Sequence, residues 1–169
     1  MLCILICHFV QIVKSNIVKD VLENIERYSA ANNHYVFEIT ETIEMDQIPA
    51  VQNVFKEFVK NEFRFAIDDF GTGYSNYGYM RDRTFDIVKV DRSFVTDIDK
   101  LKDNYLMVSF IIKMAHEMGL HVCIEGVETK EELSCVKKLG ADYIQGYYYG
   151  KPVCLQDFEE QHLKRFVLG

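Results

Sequence analysis

The sequence predicts an α/β fold in which about six parallel strands alternate with helices. Short apolar runs of strand length alternate with longer segments whose apolar residues recur at helical spacing. The 169 residues also include only two prolines and nine glycines, without a linker-like stretch, and 49% of them are hydrophobic. We therefore expect a single domain with one buried core and right-handed crossovers between its parallel strands.

The first half of the chain is expected to form three strands and two helices. Strands are predicted at residues 2–6, 35–39 and 64–67, where apolar side chains form short runs. Helices are predicted at 16–29 and 46–61, each with one apolar stripe. The stripes consist of Ile17, Val18, Val21, Leu22 and Ile25 in the first helix and of Val51, Val54, Phe55, Phe58 and Val59 in the second.

The second half repeats this alternation. The predicted strands are residues 86–90, 121–124 and 143–145. The predicted helices are a short one around 74–80 and longer ones at 104–118, 130–139 and 155–166. Gly119 and Gly140 are expected to end two of these helices. The inward residues of the helix at 104–118 are expected to be Leu106, Phe110, Ile111, Met114 and Ala115.

Charge and cysteine content limit the possible partners and the cell compartment. A net charge of -7 and a pI near 5.2 argue against a nucleic-acid polymer or an anionic membrane as a partner. The five cysteines are odd in number and form no CxxC pair, which favours reduced thiols in the cytoplasm. The apolar start lacks a basic region and is too short to cross a bilayer, so we interpret it as a strand and expect no membrane insertion.

Two adjacent carboxylates, Asp68 and Asp69, follow the third predicted strand and open a glycine-rich loop. Neighbouring carboxylates repel each other, and such a pair is usually stabilised by a bound cation that neutralises both charges. An ordinary solvated turn at the strand exit is the alternative.

Polar residues recur at the carboxyl ends of the other predicted strands. They are Glu38, Glu41, Lys89, Asp91, Glu125 and Gln145. In a parallel sheet curved into a barrel these ends share one rim, where carboxylates can form a two-metal site. Each residue alone is better explained as an ordinary rim or structural group, but the complete set is not.

Five segments carry a resemblance to a known family. They are FEITE at 37–41, DDFGTGYS at 68–75, VKVD at 88–91, CIEGVET at 123–129 and QGYYY at 145–149. In this order and spacing they resemble the EAL-domain family of cyclic-di-GMP phosphodiesterases. The resemblance covers about residues 17–169, and we treat residues 1–169 as one domain.

The resemblance implies an incomplete TIM-type (β/α) barrel that uses Mg²⁺ or Mn²⁺ to hydrolyse cyclic-di-GMP to linear pGpG. It implies that Glu38, Asp68 and Asp69 are metal ligands. It also implies that Lys89 holds or polarises the attacking water and that Glu125 is the general base or positions it. Gln145 would be part of the polar rim, and Glu41 would anchor the loop at 70–75. In such enzymes this loop couples metal binding to dimer contacts.

The sequence also departs from the family pattern. No Glu-Ala-Leu stretch occurs, and Ile6 stands where the family has a ligating asparagine. Two expected metal ligands are therefore missing, and we expect weak turnover or none from the isolated chain. Six strands also cannot close an eight-stranded ring, so the strands at 2–6 and 143–145 are expected to be open edges. A homodimer or a partner chain is expected to cover them, unless the chain is a gene remnant.

Three functional hypotheses stay open at this stage. The first is a cyclic-di-GMP phosphodiesterase that is active only if a partner chain supplies the missing metal ligands or if those ligands are dispensable. The second is a degenerate domain that binds the dinucleotide or a metal without cleavage, and the third is a protein-interaction module. Tyr147, Tyr148 and Tyr149 are suited to stacking on a base, but a tyrosine run at a strand end is more often packing.

Overall fold

A computed structural model describes residues 3–6, 17–26, 35–40, 49–72 and 85–158. In these residues six strands form one sheet, all neighbours are parallel, and the strands lie in chain order. The strands are β1 (Cys3–Ile6), β2 (Tyr35–Thr40), β3 (Arg64–Phe70), β4 (Ile87–Val90), β5 (His121–Ile124) and β6 (Tyr143–Ile144). The α-helices are α1 (Ile17–Glu26), α2 (Pro49–Lys60), α3 (Lys102–Glu117), α4 (Lys130–Leu139) and α5 (Leu155–Phe158).

The order of the strands distinguishes between two kinds of α/β sheet. A doubly wound sheet reverses its strand order at a switch point, whereas a (β/α) barrel adds each strand next to the one before it. The observed order β1 to β6 is the barrel order. The predicted α/β class and the incomplete barrel are therefore confirmed, and β1 and β6 are the edges of the described sheet.

The predicted elements recur with shifted ends. All six predicted strands are present, but β3 continues to Phe70, so both adjacent aspartates lie within a strand and not after it. The predicted helix at 74–80 lies outside the described residues, as does the predicted helix at 155–166 beyond Phe158. A short 3-10 helix, Arg92–Phe94, was not predicted. No helix in the described parts of the chain is long and apolar enough to span a membrane.

The main core lies between the sheet and the helices. Aromatic rings dominate its centre: Phe37 lies 4.5 Å from Phe58, and Phe55 lies 4.7 Å from Phe65, measured between ring centroids. All four side chains are buried. Close aromatic pairs add stability beyond the area they bury, so α2 is held firmly against β2 and β3.

Helix α3 packs through a different stripe from the predicted one. Leu106 and Phe110 are 53% and 58% exposed, so their predicted inward position is wrong. Ile111 and Ala115 are buried as predicted, and Val108 and Ile112 complete the stripe. The helix has apolar residues on two neighbouring faces, so periodicity alone could not select the one that faces the sheet. In α2, Val59, which belongs to the predicted apolar stripe, is likewise exposed.

Glycines end two helices as predicted. Gly140 follows α4 with φ of 92°, and Gly119 follows α3 with φ of 79°. A positive φ is costly for residues with a Cβ atom and is the common way for a helix to end.

Candidate active site

The face of the sheet opposite the helices carries a thin apolar layer below a polar one. Val36, Ala66, Ile87 and Cys123 pack together at one level of β2 to β5. Side chains two positions further along a strand lie on the same face, nearer its carboxyl end. At that level the chain has Glu38, Asp68, Lys89 and Glu125. Strand alternation therefore brings the polar residues of four successive strands to one side of the sheet.

Lys89 lies at the centre of this polar group. Its Nζ atom is 2.5 Å from a Glu38 oxygen, 2.8 Å from Asp68 Oδ1 and 2.7 Å from Glu125 Oε1. Lys89 and Glu38 are each only 4% exposed. An ammonium group has three protons to donate, so these three contacts engage all of them.

The charges at this site shift one another's pKa values. Burial alone would lower the pKa of Lys89, but the hydrogen bonds to Asp68, Glu125 and Glu38 raise it well above its ordinary value. Burial raises the pKa of Glu38 and of Glu125, and repulsion from Asp68 adds to this, while Lys89 opposes it. These contacts therefore favour the charged form of Lys89, and burial makes the two glutamates stronger bases than ordinary ones.

A β-bulge places the adjacent aspartates. Ile67 pairs with Val88 and Phe70 with Val90, so Asp68 and Asp69 together lie opposite Lys89. Asp69 adopts a φ of 53°, a left-handed conformation that aspartate tolerates better than most residues. Bulges of this kind often re-aim a side chain next to an active site.

Asp69 lies apart from the Lys89 group, with an exposed side chain. Partial desolvation by neighbouring groups and repulsion from Asp68 and Asp91 raise the pKa of its carboxyl group. Asp91 has a structural task, because its side chain accepts a hydrogen bond of 2.9 Å from the Ser93 backbone N–H and caps the 3-10 helix. The hydrogen bonds from Ser93 and Arg92 lower the pKa of Asp91 against the opposing effect of burial.

A cavity of about 380 Å³ opens beside these residues. Glu38, Lys89 and Gln145 give it polar walls, and Cys123 lies in its apolar wall. Burial and the neighbouring Glu125 raise the pKa of Cys123 to about 12, so its thiol is inert. A volume of this size is typical of small-molecule sites.

One group of carboxylates is arranged to hold a metal ion. In the described parts of the chain, Glu38, Asp68 and Glu125 each offer an oxygen, and these oxygens lie within 4.8 Å of one another. Hard divalent cations such as Mg²⁺ and Mn²⁺ prefer oxygen ligands of this type. The donor set therefore fits the cation that the sequence pattern implies.

The structure brings most of the predicted site residues together. Glu38, Asp68, Lys89 and Glu125 form one connected group, and Gln145 lines the adjacent cavity. The roles named for them in the sequence analysis stay predictions. Glu41 lies outside the described residues.

Two supporting residues were not predicted. Buried Glu132 accepts backbone hydrogen bonds from Glu128, Thr129 and Asp97, at 2.9, 3.0 and 3.2 Å. It thereby fixes the loop that follows Glu125. The pattern Thr-x-x-Glu at 129–132 is a recognised helix-start signal and could have revealed it.

The second is Gly146, where a Cβ atom would lie 2.1 Å from the Val127 carbonyl oxygen. Backbone hydrogen bonds join the same two chain segments: the Gln145 N–H donates to the Ile124 carbonyl, and the Val127 N–H donates to the Gln145 carbonyl. Only a glycine permits this close approach, and it carries Gln145 to the cavity. A Gln-Gly pair after a strand gives only a weak sequence signal.

Comparison with known proteins agrees with this geometry. The match to the EAL domain family covers residues 7–152. The chain is 34% identical over 146 residues to the probable cyclic di-GMP phosphodiesterase PdeA of Escherichia coli (strain K12), which is 86% of this chain and 20% of that protein. It therefore spans only about a fifth of that relative's length.

Two solved structures are similar in fold. The EAL enzyme Bd1971 with cAMP and cyclic-di-GMP bound matches with a TM-score of 0.85 and 31% identity, over 94% of this chain and 42% of that one. A manganese and cyclic-di-GMP complex of Klebsiella pneumoniae BlrP1 matches with a TM-score of 0.79 and 25% identity, over 89% of this chain and 39% of that one. Sequence, fold and strand-end chemistry agree, and this chain belongs to the EAL domain family.

Proposed function

We propose that the chain is a metal-dependent phosphodiesterase domain that hydrolyses one phosphodiester bond of cyclic-di-GMP to give linear pGpG. The observation that carries this proposal is the convergence of three carboxylates and one lysine from four strand ends. The family match and the cyclic-di-GMP complexes of its relatives support the substrate.

The metal would be held by Glu38 and Asp68, with Asp69 and Glu125 beside them, and we propose Mg²⁺ or Mn²⁺. A bound divalent cation neutralises phosphate charge and lowers the pKa of a coordinated water. The manganese complex of a relative supports Mn²⁺.

Two residues of the chain would handle the water. Glu125 would accept a proton from the water while the water oxygen attacks phosphorus. The bond from phosphorus to one ribose oxygen would break, and that oxygen would take up a proton from solvent to leave as a hydroxyl group. The pKa of Glu125, raised chiefly by burial, makes it a better base at neutral pH. The Lys89 ammonium would hold the water or the charge that develops on phosphate oxygens. Gln145 would orient the phosphate from the cavity wall.

Ile6 reduces the expected rate. β1 places Ile6 opposite Glu38 in the sheet register, and an isoleucine side chain has no ligand atom. Each loss of about 1.4 kcal/mol in transition-state stabilisation slows turnover about tenfold. This observation also favours the second candidate, a domain that binds cyclic-di-GMP without cleaving it.

Calorimetric titration with cyclic-di-GMP in Mn²⁺ and in Ca²⁺, followed by chromatography for pGpG, tests both candidates. We expect binding in both metals and slow product formation in Mn²⁺. Glu125→Gln should keep binding and lower turnover about 100-fold or more, whereas Asp99→Asn, on an exposed carboxylate away from the site, should change neither. Binding without product would identify a receptor, and no binding would refute both candidates.

We also propose that the domain acts in the cytoplasm as a homodimer or with a partner chain. The unpaired thiols of Cys123, Cys135 and Cys154 support a reducing compartment. Leu106, Met107 and Phe110 form an exposed apolar face on α3, which supports an interface. Light scattering of the wild type and of Phe110→Asp tests this: the variant should be monomeric, and a wild type that is monomeric at all concentrations would exclude the homodimer.

A further inference from the structure

Lys89 is bonded so completely that it has no proton left for a substrate. Its Nζ atom donates to Glu38, Asp68 and Glu125 at 2.5, 2.8 and 2.7 Å. An ammonium group has three protons, and the side chain is 4% exposed. For Lys89 to contact a water or a phosphate, at least one of these bonds has to open.

The same three carboxylates are the group that fits a metal ion. Their nearest oxygens lie within 4.8 Å of one another, and Nζ lies among them at hydrogen-bonding distance from each. A metal ion held by this group would use carboxylates that now accept hydrogen bonds from Lys89. An ammonium at hydrogen-bonding distance from all three carboxylates repels a second cation that binds to the same carboxylates, so the two cations compete.

We propose that Lys89 is an internal counter-cation that competes with the metal for these carboxylates, and that metal binding releases its ammonium group toward the substrate. This rests on the proposed function and adds a sequence of events to it. Without metal, Lys89 holds three strand ends together against their mutual repulsion. With metal, Glu38 and Asp68 would exchange one cation for another, and Lys89 would become free to donate.

The charges explain why the exchange is feasible. Three carboxylates around one ammonium leave two negative charges uncompensated, and Asp69 and Asp91 add to the negative field nearby. A divalent cation neutralises carboxylates better than a single ammonium does. The metal is thus able to displace Lys89, but at a cost in affinity.

The experiment compares Mn²⁺ affinity in the wild type and in lysine variants, measured by calorimetry without substrate. Lys89→Met removes the competing charge, and Lys89→Arg retains a charge. Lys100→Met is the matched control, because Lys100 also pairs with a carboxylate, Asp97 at 2.6 Å, but on the surface. Circular dichroism checks that each variant is folded.

We expect Lys89→Met to bind Mn²⁺ about 5- to 150-fold more tightly than the wild type, which is the usual range for coupled sites. Lys89→Arg should recover most of the weaker wild-type affinity, and Lys100→Met should match the wild type. Mn²⁺ binding by Lys89→Met alone would also support the proposal.

Equal or weaker affinity in Lys89→Met would overturn the proposal and leave the proposed function intact. Absence of Mn²⁺ binding in every variant would refute both. If Lys89→Met does not fold, amine acetylation of the wild type followed by peptide mass spectrometry decides the question. Lys89 should react faster when Mn²⁺ is present, and an unchanged rate would overturn the proposal.

Discussion

Replacement of Glu132 by glutamine should cost the domain about 3–6 kcal/mol of unfolding free energy. One carboxylate oxygen accepts from the Asp97 N–H, and the other accepts from the Glu128 and Thr129 N–H groups. A glutamine has one acceptor oxygen, so one charge-assisted bond worth about 1.5–3 kcal/mol is lost. The remaining two become neutral bonds of roughly half the strength.

Glu131 provides the matched control, because it lies in the same first helical turn but is exposed. Glu131→Gln should cost only about 0.3–1 kcal/mol, the usual contribution of a negative charge near a helix start. Urea unfolding followed by circular dichroism measures both variants, and the slope against urea should stay unchanged. Equal stability of the two variants would refute the role assigned to Glu132.

The same pair of variants gives a pH dependence. Burial alone would raise the pKa of Glu132, but the hydrogen bonds from Glu128, Thr129 and Asp97 lower it below its ordinary 4.5. A lowered pKa means that the stabilisation is complete above about pH 4.5 and is lost as the pH falls through the folded-state value. The stability difference between wild type and Glu132→Gln should therefore be constant from pH 7 to pH 5 and shrink below that.

Three further variants test packing and local structure. Gly146→Ala should destabilise by about 1–3 kcal/mol, because its Cβ atom would meet backbone of Val127, whereas Gly150→Ala, with open space, should be near neutral in thermal unfolding. Ile111→Ala should cost about 2–5 kcal/mol, because its side chain is buried, and a smaller loss would contradict the assigned stripe of α3. Asp142→Asn should lower stability by about 1 kcal/mol in urea unfolding, because Asp142 pairs with His116 and the Val122 N–H.

The sequence predicts the fold well because its signals are local and repeated. Each apolar run is bounded by polar residues, and the parallel order follows from the helices between strands. Helix faces were harder: α3 has two apolar faces, and burial of Val108 but not of Phe110 depends on the angle at which the helix meets the sheet.

The sequence predicted which residues lie at the strand ends that form the site, but it did not predict how their side chains are arranged. Regular alternation would direct Asp68 and Asp69 to opposite faces of the strand, and only the bulge places both opposite Lys89. The threefold bonding of Lys89 was also not predictable, because it depends on distances across four strands. Glu132 and Gly146 support the site from positions where the sequence shows only a helix start and a small residue.

Alternation along the strands also places the residues that stabilise the fold and the residues that line the cavity at different positions. In β2, Phe37 and Ile39 belong to the helix-side core, while Val36 and Glu38 line the cavity. Substitutions at the cavity-lining positions can thus change the chemistry of the site, while the core-facing positions keep the sheet packed against the helices. A change confined to Val36 or Glu38 therefore alters the cavity wall and leaves the helix-side packing of Phe37 and Ile39 in place.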